Sequence, residues 1–128
     1  MEFEHMLFTS EHEWVRFDDE SDVVIVGISE YAAKELGDIV FIELPKLGAD
    51  VDRSEAMGTI EAVKTVADLF APVSGTVVEV NTALDGQPEL VNKSPFEEGW
   101  FVKLSMSDRS ELDHLMDHDA YQNMIGES

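Results

Sequence analysis

The chain has no cysteine, so it can form neither a disulfide framework nor a thiolate metal site, and no thiol of its own can act as a nucleophile. Basic residues are scarce: 8 Lys and Arg stand against 28 Asp and Glu, for a formal charge of −20. That balance argues against nucleic-acid binding, because phosphate contacts need clustered Lys and Arg. Long hydrophobic runs are absent as well. The apolar 44% is spread along the chain in stretches of about eight residues or fewer, well below the length that crosses a bilayer. The start, Met1-Glu2-Phe3-Glu4-His5, is acidic where a secretory or transit peptide would be basic, and no apolar signal core follows it. The expectation is a soluble, cytoplasmic protein that enters no membrane.

What the chain does have is acid over its whole length. Residues 1–22 carry 8 acids and 1 base, residues 23–106 carry 14 and 6, and residues 107–128 carry 6 and 1. The excess therefore belongs to the entire surface and not to a tail. Self-repulsion of this size weakens a folded state at low ionic strength, and salt relieves it by shortening the Debye length. At 128 residues the length suits one compact domain, residues 1–128, with its core at about 8–105.

The middle of the chain reads as β structure. Val23-Val24-Ile25-Val26 suits a strand covered on both faces. Ser29 is placed to cap a helix over residues 30–36, with Glu30 in its first turn and Gly37 just past its end. Further strands are expected at Asp38–Leu44, Met57–Val63, Val66–Val73, Thr76–Val80 and Trp100–Leu104, separated by turn residues such as Pro72-Val73-Ser74-Gly75. Short strands of this kind favour a sandwich or small barrel. Gly37-Asp38-Ile39-Val40-Phe41-Ile42-Glu43-Leu44 echoes Gly75-Thr76-Val77-Val78-Glu79-Val80, as two halves of a pseudo-symmetric sandwich would. Beyond Ser107, the spacing of Leu112, Leu115, Met116, Tyr121 and Met124 predicts an amphipathic helix over about 108–125.

Few side chains invite a chemical reading. Lys64, between Val63 and Thr65, is by local pattern an exposed edge or turn residue, and Val63-Lys64-Thr65-Val66 lacks the Asn or Gly that tight hairpins favour. Periodicity alone accepts one continuous strand there. His12 has no second histidine close by, which favours a packing role over metal binding or proton transfer. His114 and His118 share a helix face as i and i+4, half of a metal site at most. Trp14 and Trp100 are expected to pack with the indole N–H on a partner.

Read together, a series of blocks says more. Ser10-Glu11-His12-Glu13-Trp14-Val15, Gly27-Ile28-Ser29-Glu30-Tyr31-Ala32, Leu36-Gly37-Asp38-Ile39-Val40-Phe41-Ile42-Glu43-Leu44-Pro45, Ile60-Glu61-Ala62-Val63-Lys64, Ala71-Pro72-Val73-Ser74-Gly75, Glu79-Val80-Asn81, Pro88-Glu89-Leu90-Val91-Asn92 and Gly99-Trp100 follow one another in order. From about residue 8 to 105 they resemble the glycine cleavage system H proteins. The resemblance implies a mainly β fold, a β-sandwich of the lipoyl/biotinyl type (a barrel-sandwich hybrid), with lipoate attached covalently to Lys64. It implies a carrier without catalysis of its own. In the implied cycle a pyridoxal-phosphate glycine decarboxylase loads an aminomethyl group, a tetrahydrofolate-dependent aminomethyltransferase removes it, and an FAD dihydrolipoamide dehydrogenase reoxidises the dithiol. Lipoate-attaching enzymes are further partners, and Glu61, three residues before the lysine, is a neighbour they could read. Glu13 and Asp68 are the implied acidic contacts for the loaded arm; the plain alternative for both is an ordinary surface carboxylate. A chain free of cysteine also offers nothing to divert a carried dithiol by exchange.

The sequence departs from the family in places. Ala62, Thr65 and Ala67 stand where Ser, Ala and Ser are frequent, and Glu11 and Glu35 replace a serine and a histidine of some relatives, so no role passes to those two. Two alternatives stay open: an H-like relay of lipoyl or octanoyl groups to other enzymes, and an unmodified β-sandwich binding module. A biotin carrier normally has methionine on both sides of its lysine, where Val63 and Thr65 stand here.

Overall fold

The computed structural model describes residues 5–126; Met1 to Glu4, on which the reading of an acidic start rests, lie outside them. The chain forms nine strands and several short helices among these residues. In order they are β1 (Met6–Phe8), β2 (Glu13–Arg16), β3 (Val23–Ile28), α1 (Glu30–Leu36), β4 (Ile39–Glu43), β5 (Asp50–Val51), β6 (Ala56–Ala62), β7 (Val66–Phe70), β8 (Gly75–Val80), α2 (Ala83–Gly86), α3 (Leu90–Lys93), β9 (Val102–Met106), a 3-10 helix (Arg109–His114) and α4 (His118–Met124). Two antiparallel sheets result: a six-stranded sheet in the order β1-β2-β3-β9-β8-β5 and a three-stranded sheet in the order β4-β6-β7. The echoing runs β4 and β8 fall one in each sheet.

The sheets face one another across an apolar core. Val15, Val24, Val26 and Leu104 come from the larger sheet, Ile42, Ile60 and Leu69 from the smaller. Each of these alternates with a residue on the opposite face of its sheet, as the period of two in a strand requires. A second cluster of Met6, Phe8, Trp14 and Tyr121 covers part of the large sheet from the other side. Gly27 makes that possible: it stands opposite Trp14 in the register, and a Cβ there would lie 2.6 Å from the indole. The indole N–H donates to the Pro95 carbonyl at 2.9 Å.

Helix α1 begins and ends where its sequence signals place it. The Ser29 hydroxyl accepts from the Ala32 N–H, Glu30 sits in the first turn, and Gly37 closes the helix with φ 78° and ψ −152°, donating its N–H to the Ala33 carbonyl. That backbone geometry is open essentially to glycine alone.

Two expectations need correction, and two strands were not expected. The single C-terminal helix over 108–125 is two pieces, because Met116 forms an isolated bridge with Phe8. The two residues exchange both backbone hydrogen bonds, at 2.7 and 2.8 Å, and a residue so paired must be extended. Asp108 caps the 3-10 helix and Asp117 caps α4 through side-chain acceptance from Ser110 N–H and Ala120 N–H. The last strand begins at Val102 and runs to Met106 instead of spanning Trp100–Leu104. The N-terminal strands β1 and β2 carry no alternation long enough to announce them, and they take their places by pairing beside β3. No helix among the described residues is long and apolar enough to cross a membrane.

Candidate functional site

Lys64 lies in the loop that joins β6 to β7, where the Ala62 N–H donates to the Thr65 carbonyl at 2.8 Å. Only Val63 and Lys64 stand between those partners. The β run therefore breaks at this point instead of continuing as one strand. Neither loop residue has positive φ, which is why the Asn or Gly of a mirror-image hairpin turn is dispensable. An outside tether holds the loop: the Val63 N–H donates to the Asp38 carbonyl at 2.9 Å.

The neighbouring chain is shaped to receive the lysine. The Gly37 carbonyl accepts from the Asn92 side-chain amide at 2.8 Å, and the Asn92 carbonyl oxygen accepts from the Ile39 N–H at 3.0 Å. One side chain from α3 thus pins both sides of the turn between α1 and β4. The lysine stem lies over that turn, and a Cβ at Gly37 would stand 3.3 Å from Lys64 Cε. Lys64 is exposed and belongs to none of the ion pairs among the described residues.

Glu61, Asp68 and Glu13 take different positions. Glu61 is exposed on β6, paired in register with Phe41 of β4 on one side and Val66 of β7 on the other. Asp68 is exposed on β7 opposite Thr59, on the outer face of the small sheet. Glu13 is no surface carboxylate, being only 2% exposed. Its Oε1 accepts from the Thr9 hydroxyl at 2.6 Å, and its Oε2 accepts weakly from the Phe70 N–H at 3.4 Å. The same Thr9 hydroxyl accepts from the Glu13 N–H at 3.1 Å, so the tight turn before β2 builds the acid's position.

No cation pairs with Glu13 among the described residues. Burial consequently pushes its carboxyl up from an ordinary 4.5 to about 7, against the lowering effect of the Thr9 and Phe70 hydrogen bonds. Beside it opens a cavity of about 420 Å³ whose walls include Thr9, Arg53, Phe70, His114 and Met116. Asp68 does not line that cavity; it borders a separate groove with Glu43, Lys46 and Thr59. The two acids are thus brought to one strand, with Glu13 beyond the free edge of β7 at Phe70 and Asp68 on its outer face, but not into one pocket.

The histidines serve the frame. His12 takes positive φ at 74° and its Nδ1 shares a hydrogen bond with the Tyr121 hydroxyl at 2.8 Å, which also meets Ser29 Oγ at 2.6 Å. Burial lowers the pKa of His12, opposed by Glu11 and Glu35. His114 and His118 lie in separate helices on either side of the Met116 bridge, so they do not share a helix face. Among the described residues no group of three or more His, Cys, Asp or Glu is arranged to hold a metal.

A two-sheet β frame presenting a lysine on a tethered hairpin loop has the architecture of a carrier domain. Comparison with known proteins agrees. The family model for the glycine cleavage H-protein matches residues 6–128, and the chain belongs to that family. It is 52% identical over 124 residues to the glycine cleavage system H protein of Staphylococcus carnosus, covering 97% of each. It is 50% identical over 128 residues to that of Brevibacillus brevis, covering 99% of this chain and 100% of the other. The crystal structure of a glycine cleavage system H protein from Mycobacterium marinum superposes with a TM-score of 0.87 at 36% identity, covering 95% of this chain and 97% of that one.

Proposed function

We propose that this protein is the lipoyl-bearing carrier of a cytoplasmic glycine cleavage system, with the arm on Lys64 and no catalytic step of its own. Its partners are a pyridoxal-phosphate glycine decarboxylase, a tetrahydrofolate-dependent aminomethyltransferase, an FAD dihydrolipoamide dehydrogenase and the enzymes that attach lipoate. The observation that carries this reading is the exposed amine of Lys64, in no ion pair among the described residues, at the hairpin tip of a family member.

The lengths favour it. From Thr65 to Phe70, β7 advances about 17 Å. A lipoylated lysine has about fourteen bonds from Cα to its outer sulfur, or roughly 17 Å at the advance per bond of an extended chain. An extended arm laid along β7 would therefore span as far as Phe70, whose N–H donates to Glu13. Lipoate supplies a dithiolane that accepts a one-carbon amine and is afterwards reoxidised. What the chain supplies is a tether and a receptor. The tether keeps the arm at high effective concentration near a docked partner, so each partner can bind weakly. Glu13 is a desolvated acid lacking a cation, and a protonated amine brought beside it would complete the pair and draw the carboxyl to its charged form. Asp68 would add a second carboxylate on the outer face, and enclosure beside Glu13 would keep water from the cargo.

The test uses protein from its native host, by intact mass and fragment mapping, alongside the Lys64→Ala variant mixed with the three glycine cleavage enzymes. The expected outcome is a lipoyl adduct confined to Lys64 and no glycine turnover with the folded variant. Activity retained in that variant refutes the assignment.

A further inference from the structure

Among the described residues, Val40, Phe41, Val63 and Val66 are four of the eight large apolar side chains left exposed. Val63 and Val66 flank Lys64 in the chain, and Val40 and Phe41 lie on β4, which pairs with β6 where it leads into the lysine loop. Phe41 is 54% exposed, Val66 61% and Val63 74%. In a chain of charge −20, whose surface is otherwise acid-rich, such clustering is not needed for folding, since the core face of the same sheet is already filled by Ile42, Ile60 and Leu69.

Register makes the cluster an ordered surface. Phe41 pairs with Glu61, which pairs with Val66, and one step further Glu43 pairs with Thr59, which pairs with Asp68. The outer face of the small sheet therefore shows an apolar–acid–apolar row nearest the lysine and an acid–hydroxyl–acid row behind it. The register shift between Ile39 and Phe41 turns Val40 outward as well, 48% exposed beside Phe41. Re-aiming a side chain in this way is a usual consequence of a bulge.

We infer that this row, Phe41 and Val66 on either side of Glu61, is the docking surface for the enzyme that acylates Lys64, and that the enzyme meets it with an apolar patch ringed by Lys or Arg. This rests on the carrier reading. The choice of occupant follows from reach. Acylation happens at Nζ, about 6 Å from the lysine Cα at the advance of an extended chain. The amine loses a proton to solvent and attacks the carbonyl carbon of an activated lipoyl ester. The C–N bond forms, the C–O bond to the leaving group breaks with its electron pair, and a second proton departs to leave a neutral amide. An enzyme doing this must lie on the loop and its flanks. Enzymes acting on the dithiolane work at the far end of the arm, roughly 17 Å from the same Cα, and need not touch the row. Charge complementarity supplies the chemistry of the partner: Glu61 between the apolar pair, with Glu43 and Asp68 behind, favours a basic rim that steers encounter and fixes orientation.

The experiment compares wild type with a Phe41→Ser/Val66→Thr double variant and with Val66→Thr alone, using an ATP-dependent lipoate ligase, lipoate and ATP, and following adduct formation by intact mass. Val78→Thr, exposed on β8 in the large sheet, is the control. The expected result is at least a tenfold loss of kcat/KM in the double variant, mostly through KM, a smaller loss in the single variant, and a wild-type KM that rises with salt. Denaturation midpoints should agree, and reduction of fully lipoylated double variant by dihydrolipoamide dehydrogenase should match wild type. Acylation rates within twofold of wild type overturn the inference while wild-type modification at Lys64 leaves the carrier reading intact. An equal loss in Val78→Thr, or in the dehydrogenase reaction, overturns it too. Wild type that accepts no lipoate at Lys64 removes both.

Discussion

The two sheets use similar residues to opposite ends. In β2 the neighbours Trp14 and Val15 are both fully buried, one in the cluster under α4 and the other in the sandwich core. Both faces of the large sheet at that point are committed to stability. The small sheet buries only one face, and its other carries Phe41, Glu61, Val66 and Asp68 into solvent. A strand covered on both sides has no residue left for a partner. A strand covered on one side keeps every second residue free, and here those free residues lie around Lys64.

The sharpest break of this comparison comes from Trp14→Ala. Removing a side chain buried on the second face should lower unfolding stability by about 3–5 kcal/mol, read from denaturant curves in salt, while the folded fraction still accepts lipoate at the wild-type rate. A loss near zero would mean that the second face of the large sheet contributes nothing. Glu13 tests the boundary between the sheets. Folded protein holds a proton on this acid up to about 7 whereas the unfolded chain releases it near 4.5. Stability should therefore fall as pH rises through that window and level off above it, by on the order of 3 kcal/mol in total. Glu13→Gln removes this slope, so the difference between the two stability–pH curves isolates it from the titration of every other acid; parallel curves would show that the carboxyl is not perturbed. Salt gives the smallest effect. Screening the charge of −20 should raise the thermal midpoint of wild type by a few degrees, on the order of 1 kcal/mol. A midpoint indifferent to salt would show that the acidic excess does not strain the fold.

Much of the frame was legible. Helix α1 matches its caps residue for residue, and β3, β4, β6 and β8 lie where apolar runs and turn residues put them, because those signals act within a few neighbours; β7 starts at the expected Val66 but ends at Phe70, short of the expected Val73. Strands β1 and β2 were not legible, being 3 and 4 residues long and defined by pairing across the sheet. The C-terminal helix misled for a related reason: the spacing of Leu112, Leu115 and Tyr121 is helical, but the Phe8–Met116 exchange of hydrogen bonds overrides it. At the candidate site, Lys64 is singled out through family resemblance alone, since its local pattern is that of any exposed lysine. Asn92 was in view only as part of a block. Its bridging of Gly37 and Ile39 joins residues more than fifty positions apart, beyond any local signal.

By itself the sequence determined the charge, the β-rich middle, the capped α1, the chemistry open to a chain without cysteine and, through its ordered blocks, the family. Those properties depend on residue type and near neighbours. Only the tertiary structure decided that Glu13 is buried with no cation paired to it among the described residues, that Asp68 lies outside its cavity, and that Phe41, Glu61 and Val66 form one exposed row. Burial and cross-strand register are set by which distant segments pack together, and no local spacing contains that information.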